Sequence, residues 1–306
     1  MAETGANNPG AAHDGVCWVN GLLVDAGDGS VSAMDHSIVV GDGVFETLKV
    51  VNGPDGPVPF AVTRHLDRLR HSADGLGMEP ADEDRVRAAL ADVMVADPGA
   101  GRIRITWSSG PGPLSSGRGD GPGTLIVATS SANVWPESGR VHISRWTRNE
   151  NGPLVGLKTT SYAENVLALA EAHRHGCTEA LFTNTAGLLC EGTGTNVFLV
   201  VDGVVVTPPL ASGCLAGVTR SLAMEMAESL PEVDGDVVER DISPDEFSRA
   251  SEAFLTSTTR DAMAISGVDS WADGAHTALD LPAAPGPVTA ALAAAFADLC
   301  ATTPDP

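Results

Sequence analysis

Residues 156–176 read GLKTTSYAENVLALAEAHRHG, and they hold one of only two lysines and the only tyrosine in the 306-residue chain. A lysine kept four residues before the sole tyrosine, just ahead of a helical pattern, points to amine chemistry. In an apolar pocket a lysine loses proton affinity, and its neutral amine can form a Schiff base with an aldehyde. Lys158 is therefore the leading candidate for a catalytic residue. The plain alternative is an exposed lysine at a strand end, since most lysines are exposed. The other lysine, Lys49, alternates with Leu48 and Val50 in a strand and lacks comparable polar neighbours.

Composition narrows the partners. The chain is 43% hydrophobic with 34 glycines, enough for packed cores in one large domain or two ordinary ones. Eighteen basic residues against forty acidic ones give a formal charge of −22, which repels nucleic acid and anionic membrane at long range. Neither partner is expected. Two lysines leave sixteen arginines, so an anionic ligand would need arginine side chains or backbone N–H groups at helix starts. Five scattered cysteines without a CxxC pair indicate neither a disulfide framework nor a zinc site, and no metal is expected. No run of eighteen apolar residues and no signal-peptide pattern occurs, which reads as a soluble cytoplasmic chain with a disordered tail over residues 1–15.

Periodicity gives mixed elements in both halves. CWVNGLLVD reads as two strands around an Asn20-Gly21 turn, and GVFETLKVVNG as a strand running into a turn at Asn52-Gly53. Leu66, Leu69, Ala73 and Leu76 recur at helical spacing. RIRITW and GTLIVATS are strands flanking SSGPGPLSSGRGDGPG, a loop too long and breaker-rich for a tight hairpin, read as a mobile tether or a lid. Further strands are EALFTN, LLCEG, NVFLVV and VVVTPP; LAGVTRSLAMEMAESL reads as a helix entered through Gly217 and Thr219, EAFLTSTTRDAMAI as a buried strand opening into a Ser/Thr-rich turn, and VTAALAAAFADLC as an alanine-rich last helix. The reading is two α/β domains, 16–132 and 140–306, joined by a linker over 133–139, with a crevice between them.

Taken together, LKTTSYAENV, EALFTNTAGLLCEGTGTNVFLVVDGVVVTPPL and LAGVTR, with GDGVFETLKV and RHLDRLRHSA before them, resemble the fold-type IV pyridoxal-phosphate enzymes. That family includes branched-chain aminotransferases, D-amino acid aminotransferases and aminodeoxychorismate lyases. The resemblance spans roughly residues 16–265 and implies a two-domain α/β subunit with pyridoxal 5′-phosphate at the domain interface, usually in a homodimer. By the same resemblance Lys158 is the Schiff-base lysine and acid/base. Glu191 pairs with the pyridine nitrogen and Arg68 binds the phosphate. Val218 and Thr219 offer N–H groups to the phosphate at a helix start, and Thr258 offers a hydroxyl. Tyr162 is a candidate for the cofactor's phenolic oxygen, although it follows the lysine by four residues instead of the family's five. Asn196 matches a recurrent asparagine that holds the turn near Glu191.

The resemblance leaves the substrate open. Phe45 stands where D-amino acid aminotransferases of the best-known type have tyrosine and branched-chain enzymes phenylalanine. The Arg-x-His carboxylate trap of those D-specific enzymes has no counterpart here, where Arg118 is the loop's only basic residue and a candidate carboxylate anchor. The expected activity is amino transfer from an amino acid to a 2-keto acid, with D-amino acid or broad specificity favoured. The alternatives are 4-amino-4-deoxychorismate lyase and a branched-chain L-amino acid aminotransferase. A Rossmann reading fails because GPGPLS lacks the last glycine of GxGxxG. His173 and His175 fit a helix C-terminus better than a metal.

Overall fold

Asn20 and Gly21 turn β1 (Val16–Val19) into β2 (Leu22–Asp25), both at positive φ, 49° and 103°. That is the backbone a two-residue turn needs to match strand twist. The computed structural model describes residues 15–233, 237–272 and 275–306. The tail expected over 1–15 thus lies, up to residue 14, outside the described residues. The second expected turn falls slightly later than read. Strand β3 (Gly43–Gly53) continues through Asn52 and Gly53, and Gly53 pairs with Gly56 of β4 (Gly56–Pro59). Pro54 and Asp55 make the bend, because proline presets the φ of a turn's first central residue.

With β5 (Arg102–Ser108) and β6 (Thr124–Ser130) these strands form one antiparallel sheet, ordered β2-β1-β6-β5-β3-β4. A short helix α1 (His36–Val39) precedes β3, while α2 (Val62–Gly75) and α3 (Glu83–Ala96) cover the sheet. Leu66, Leu69 and Ala73 of α2 and Val86, Leu90 and Val93 of α3 pack on Leu48, Ile103, Ile105 and Val127. Burying each large aliphatic side chain stabilises this layer by roughly 1.5–3 kcal/mol. Alternation then sends the odd residues of β5 inward and leaves Arg102, Arg104 and Thr106 on the opposite face.

The second sheet is larger and mixed. Its strands are β7 (Ser138–Arg148), β8 (Glu179–Asn184), β9 (Leu189–Gly192), β10 (Asn196–Val201), β11 (Val204–Thr207), β12 (Val238–Glu239), β13 (Ala250–Ser257), β14 (Asp261–Ala272) and β15 (Ala275–Asp280). Their order is β12-β11-β10-β13-β14-β7-β8-β9, with β15 on β14. Strand β7 runs parallel to both neighbours, which requires the crossover that α4 (Ala163–Arg174) supplies on the way to β8. Helices α5 (Val218–Ala227) and α6 (Pro287–Thr302) share a core with Phe198, Phe254 and Phe296.

The segment leading into α4 ties the sheets together. Phe45 N–H donates to the Lys158 carbonyl at 3.0 Å and Thr160 N–H to the Gly43 carbonyl at 2.8 Å, so the lysine stretch lies along the start of β3. A cleft is left between residues 38–41 ahead of β3, Arg68 of α2 and the ends of β9, β13 and α5. No helix among the described residues is long and apolar enough to cross a membrane.

Candidate active site

A cavity of about 760 Å³ occupies that cleft, and Arg68, Lys158, Tyr162, Glu191, Val218, Thr219 and Thr258 all line it. Residues up to 190 positions apart in sequence thus meet around one space. Phe45 stands behind Lys158, whose Nζ lies 4.5 Å from the ring centroid, and packs edge-to-face on Tyr162 at 5.3 Å. The lysine's own N–H is fixed by Ser72 Oγ at 3.1 Å.

Burial is the main reason the Lys158 amine falls to about 8, with the Arg68 charge pushing the same way and the carboxylates of Glu46 and Glu191 opposing. At pH 7 about a tenth of such amines are neutral, against a few in ten thousand for an ordinary lysine. No carboxylate among the described residues forms an ion pair with it. Lys158 is a buried amine held ready to act as a nucleophile.

At one end of the cavity, Glu191 accepts from Leu215 N–H at 2.9 Å and lies 3.4 Å from an Arg148 Nη. Burial raises its proton affinity, and Arg148, the Leu215 N–H and Lys158 pull it down, leaving it above the usual carboxylate range. A protonated ring nitrogen brought against it would favour the ionised form. Asn196 Nδ2 donates to the Leu215 carbonyl at 2.9 Å, fixing the residue whose N–H holds Glu191. Tyr162 donates to the Thr193 carbonyl at 2.8 Å, and burial, then the Glu191 charge, push its hydroxyl up to about 12.

The other end is built for an anion. Helix α5 follows Gly217, which offers no side-chain cap, so its first N–H groups, at Val218 and Thr219 on the cavity lining, have no side-chain acceptor among the described residues. A Cβ on Gly217 would stand 2.1 Å from Asn196 Oδ1, which is why only glycine fits there. Thr256, also on the cavity lining, has its hydroxyl buried without a hydrogen-bond partner among the described residues. Arg68 completes the wall: Nε and one Nη clasp Glu46 at 2.8 and 2.7 Å, and the other Nη reaches the Ala216 carbonyl at 3.0 Å. Burial would raise Glu46, but Arg68 and then His65, 2.7 Å away, hold it well below the usual carboxylate range. Orphaned donors at a helix start, an orphaned hydroxyl and an arginine fit a phosphate ester.

Arg118 lies apart from this constellation. Its guanidinium clasps Asp42 at 2.8 and 2.7 Å and donates to the carbonyls of Gly77 and Leu76, pinning residues 109–123 at the rim beside a second hollow. That explains why the glycine-rich loop is held in place despite its breakers. The Arg118 hydrogen bonds, foremost, take Asp42 down to about 2 against the effect of burial, with Ser109, His36 and then the Arg118 charge adding to them. Arg104 was not singled out by the sequence reading, yet its guanidinium carbon lies 3.7 Å from the Phe45 ring centroid. Its one side-chain bond among the described residues is from Nε to Thr106 Oγ1 at 3.3 Å. The alternation in RIRITW already marked it as facing away from the core; which cavity that face adjoins is a tertiary fact. Glu46, Arg148 and Thr256 were likewise missed.

A buried amine, a carboxylate across the cavity and an uncapped helix start agree with comparison to known proteins. The profile of the family "Amino-transferase class IV" matches residues 43–268. The chain belongs to the class IV aminotransferases. This aminotransferase is 32% identical over 301 residues to the branched-chain-amino-acid aminotransferase of Pseudomonas aeruginosa, covering 94% of each chain. It is 26% identical over 274 residues to the D-alanine aminotransferase of Bacillus licheniformis, covering 88% of this chain and 92% of that one. Among solved structures it resembles a T.th. branched-chain amino acid aminotransferase complexed with N-(5′-phosphopyridoxyl)-L-glutamate. That likeness has a TM-score of 0.83 with 26% identity over 94% of each chain. The fold is the two-domain type IV fold and the cofactor is pyridoxal 5′-phosphate, which the donor set above suits.

Proposed function

We propose that this aminotransferase acts on small and branched apolar α-amino acids with broad specificity, and that Arg104 receives the substrate carboxylate. The observation that carries this reading is Phe45, packed behind Lys158 and edge-to-face on Tyr162, covered by the Arg104 guanidinium, which has no carboxylate partner among the described residues. Arg118, by contrast, has its donors committed to Asp42 and two carbonyls.

In this reading Arg68, the α5 start at Val218 and Thr219, Thr256 and Thr258 hold the phosphate, while Glu191 keeps a proton on the pyridine nitrogen. When bound, the cofactor supplies the aldehyde and the ring that accepts electrons from the substrate Cα–H bond. Lys158 supplies the amine that anchors it and, once displaced, takes the Cα proton and returns it on the other side of the exchange. Phe45 and Tyr162 keep water from that amine, and Tyr162 orients the ring's oxygen edge. Residues 16–132 and 140–306 form the two units that enclose the site. The exposed apolar side chains of Ile38, Val40 and Leu154 on the cavity lining suit coverage by a second copy, as a cytoplasmic homodimer.

A second reading, strict preference for branched-chain L-amino acids, is favoured by the similarity to the Pseudomonas aeruginosa enzyme. Bleaching of the bound cofactor's visible band by D-alanine, D-leucine and L-leucine, each with its keto acid measured, separates the two. Broad specificity predicts product from both hands; product from L-leucine alone supports the second reading. Arg104→Gln should raise KM for every substrate carrying a carboxylate by about 10–100-fold, the worth of a charge-assisted pair. An unchanged KM removes Arg104 from the reading.

A further inference from the structure

Helix α2, which carries Arg68, begins badly. The residue before it, Ala61, sits at φ 55° and offers no side-chain cap. Residues 303–306 supply what the local sequence lacks. Asp305 accepts from Thr63 N–H at 2.9 Å and from Thr63 Oγ1 at 2.7 Å, which is the bonding of an N-cap provided from 242 positions away. Ala61 N–H donates to the Pro304 carbonyl at 2.7 Å, and Arg64 Nε to the Pro306 oxygen at 2.9 Å. Arg64 also clasps Glu225 of α5 at 2.6 and 2.9 Å. The first turn of α2 is therefore held by the segment after α6 and by α5, the helix whose start forms the other wall of the anion site.

We infer that residues 303–306, through Asp305, are a strap that positions Arg68 over the phosphate end of the cavity. The geometry is direct: Arg68 lies about one and a half helical turns beyond Thr63 and bridges to Ala216, just before α5. A first turn that frays loosens the helix whose register brings the guanidinium to that carbonyl. Asp305 touches no part of the cavity and acts only through α2. The inference rests on the reading of Arg68 as phosphate ligand.

The test strips the full-chain holoenzyme of cofactor and titrates it with pyridoxal phosphate and, separately, with pyridoxal, which lacks the phosphate. The ratio of the two affinities isolates the phosphate contribution. Asp305→Ala should lower that ratio about fivefold, the size of a lost helix cap, with pyridoxal affinity unchanged. Asp305→Asn, an equally good cap, should restore it, and Thr63→Val, which removes the hydroxyl bond but keeps the N–H one, should reproduce part of the loss. A ratio unchanged in both Asp305→Ala and Thr63→Val, while Arg68→Ala collapses it, overturns the strap. Equal losses for both aldehydes also overturn it, since a merely structural role would lower both. A ratio unchanged in Arg68→Ala removes the underlying reading, and the strap with it.

Discussion

The two lysines sit in opposite surroundings. Lys49 projects from β3 toward Phe60 and Phe296 and is paired with Asp261 at the end of the turn that carries Thr258. Lys158 is buried against Phe45 with an arginine nearby and no ion-pair partner among the described residues. A charge given a carboxylate stays charged and ties two elements together, whereas a charge denied one in a low-dielectric site becomes a base and nucleophile. The same side chain is held charged in one place and has its proton affinity lowered in the other because of its neighbours alone.

The sharpest way to break that comparison is to delete each amine. Lys158→Ala should cut transamination by at least about 10⁴-fold, as expected where one group is both nucleophile and acid/base, and abolish the cofactor's Schiff-base absorption while leaving the circular dichroism spectrum intact. Lys49→Met should leave that absorption in place; its loss would erase the distinction.

Titration offers a second and smaller contrast. The Lys158 proton affinity is depressed in the folded protein, to about 8, relative to the unfolded chain. Between pH 8 and about 10.4 the unfolded chain therefore binds more protons, and stability of the cofactor-free protein should rise with pH through that window. The lysine's cost, about 3 kcal/mol at neutral pH, is relieved as it deprotonates. Urea denaturation at pH 7.5 and 10 should show this gain, and Lys158→Met should lack it. A gain of equal size in the Lys158→Met protein would assign it to other groups.

The smallest effect concerns Lys49 itself. Its partner Asp261 keeps a third of its side chain exposed, so Lys49→Met should cost only about 1–2 kcal/mol in denaturant stability. A larger loss would mean that the Thr258 turn depends on this pair more than its exposure indicates.

Legibility followed the same line between local and distant interactions. Strands β1–β3, β5, β6 and β8–β11, helices α2, α4, α5 and α6, the Asn20-Gly21 turn and the Gly217 helix start were readable because each is set by residues within a few positions of one another, whereas α3 and β7 were not singled out. Lys158 and Glu191 stood out through their flanking motifs. Arg118 and Arg104 show where this ends. Arg118 drew attention as the only basic residue of a loop, but Asp42, 76 positions away, claims it. Arg104 looked like one polar residue in an alternating strand, and only its approach to Phe45 gives it a part.

By itself the sequence determined the family and the cofactor chemistry, and it pointed to Lys158 and Glu191, because motif spacing and side-chain period are local properties of the chain. Tertiary structure alone decided which arginine approaches Phe45, that Glu46 orients Arg68, and that Asp305 caps α2. Those pairings span tens to hundreds of residues and leave no periodic trace, since each depends on where two folded surfaces come together.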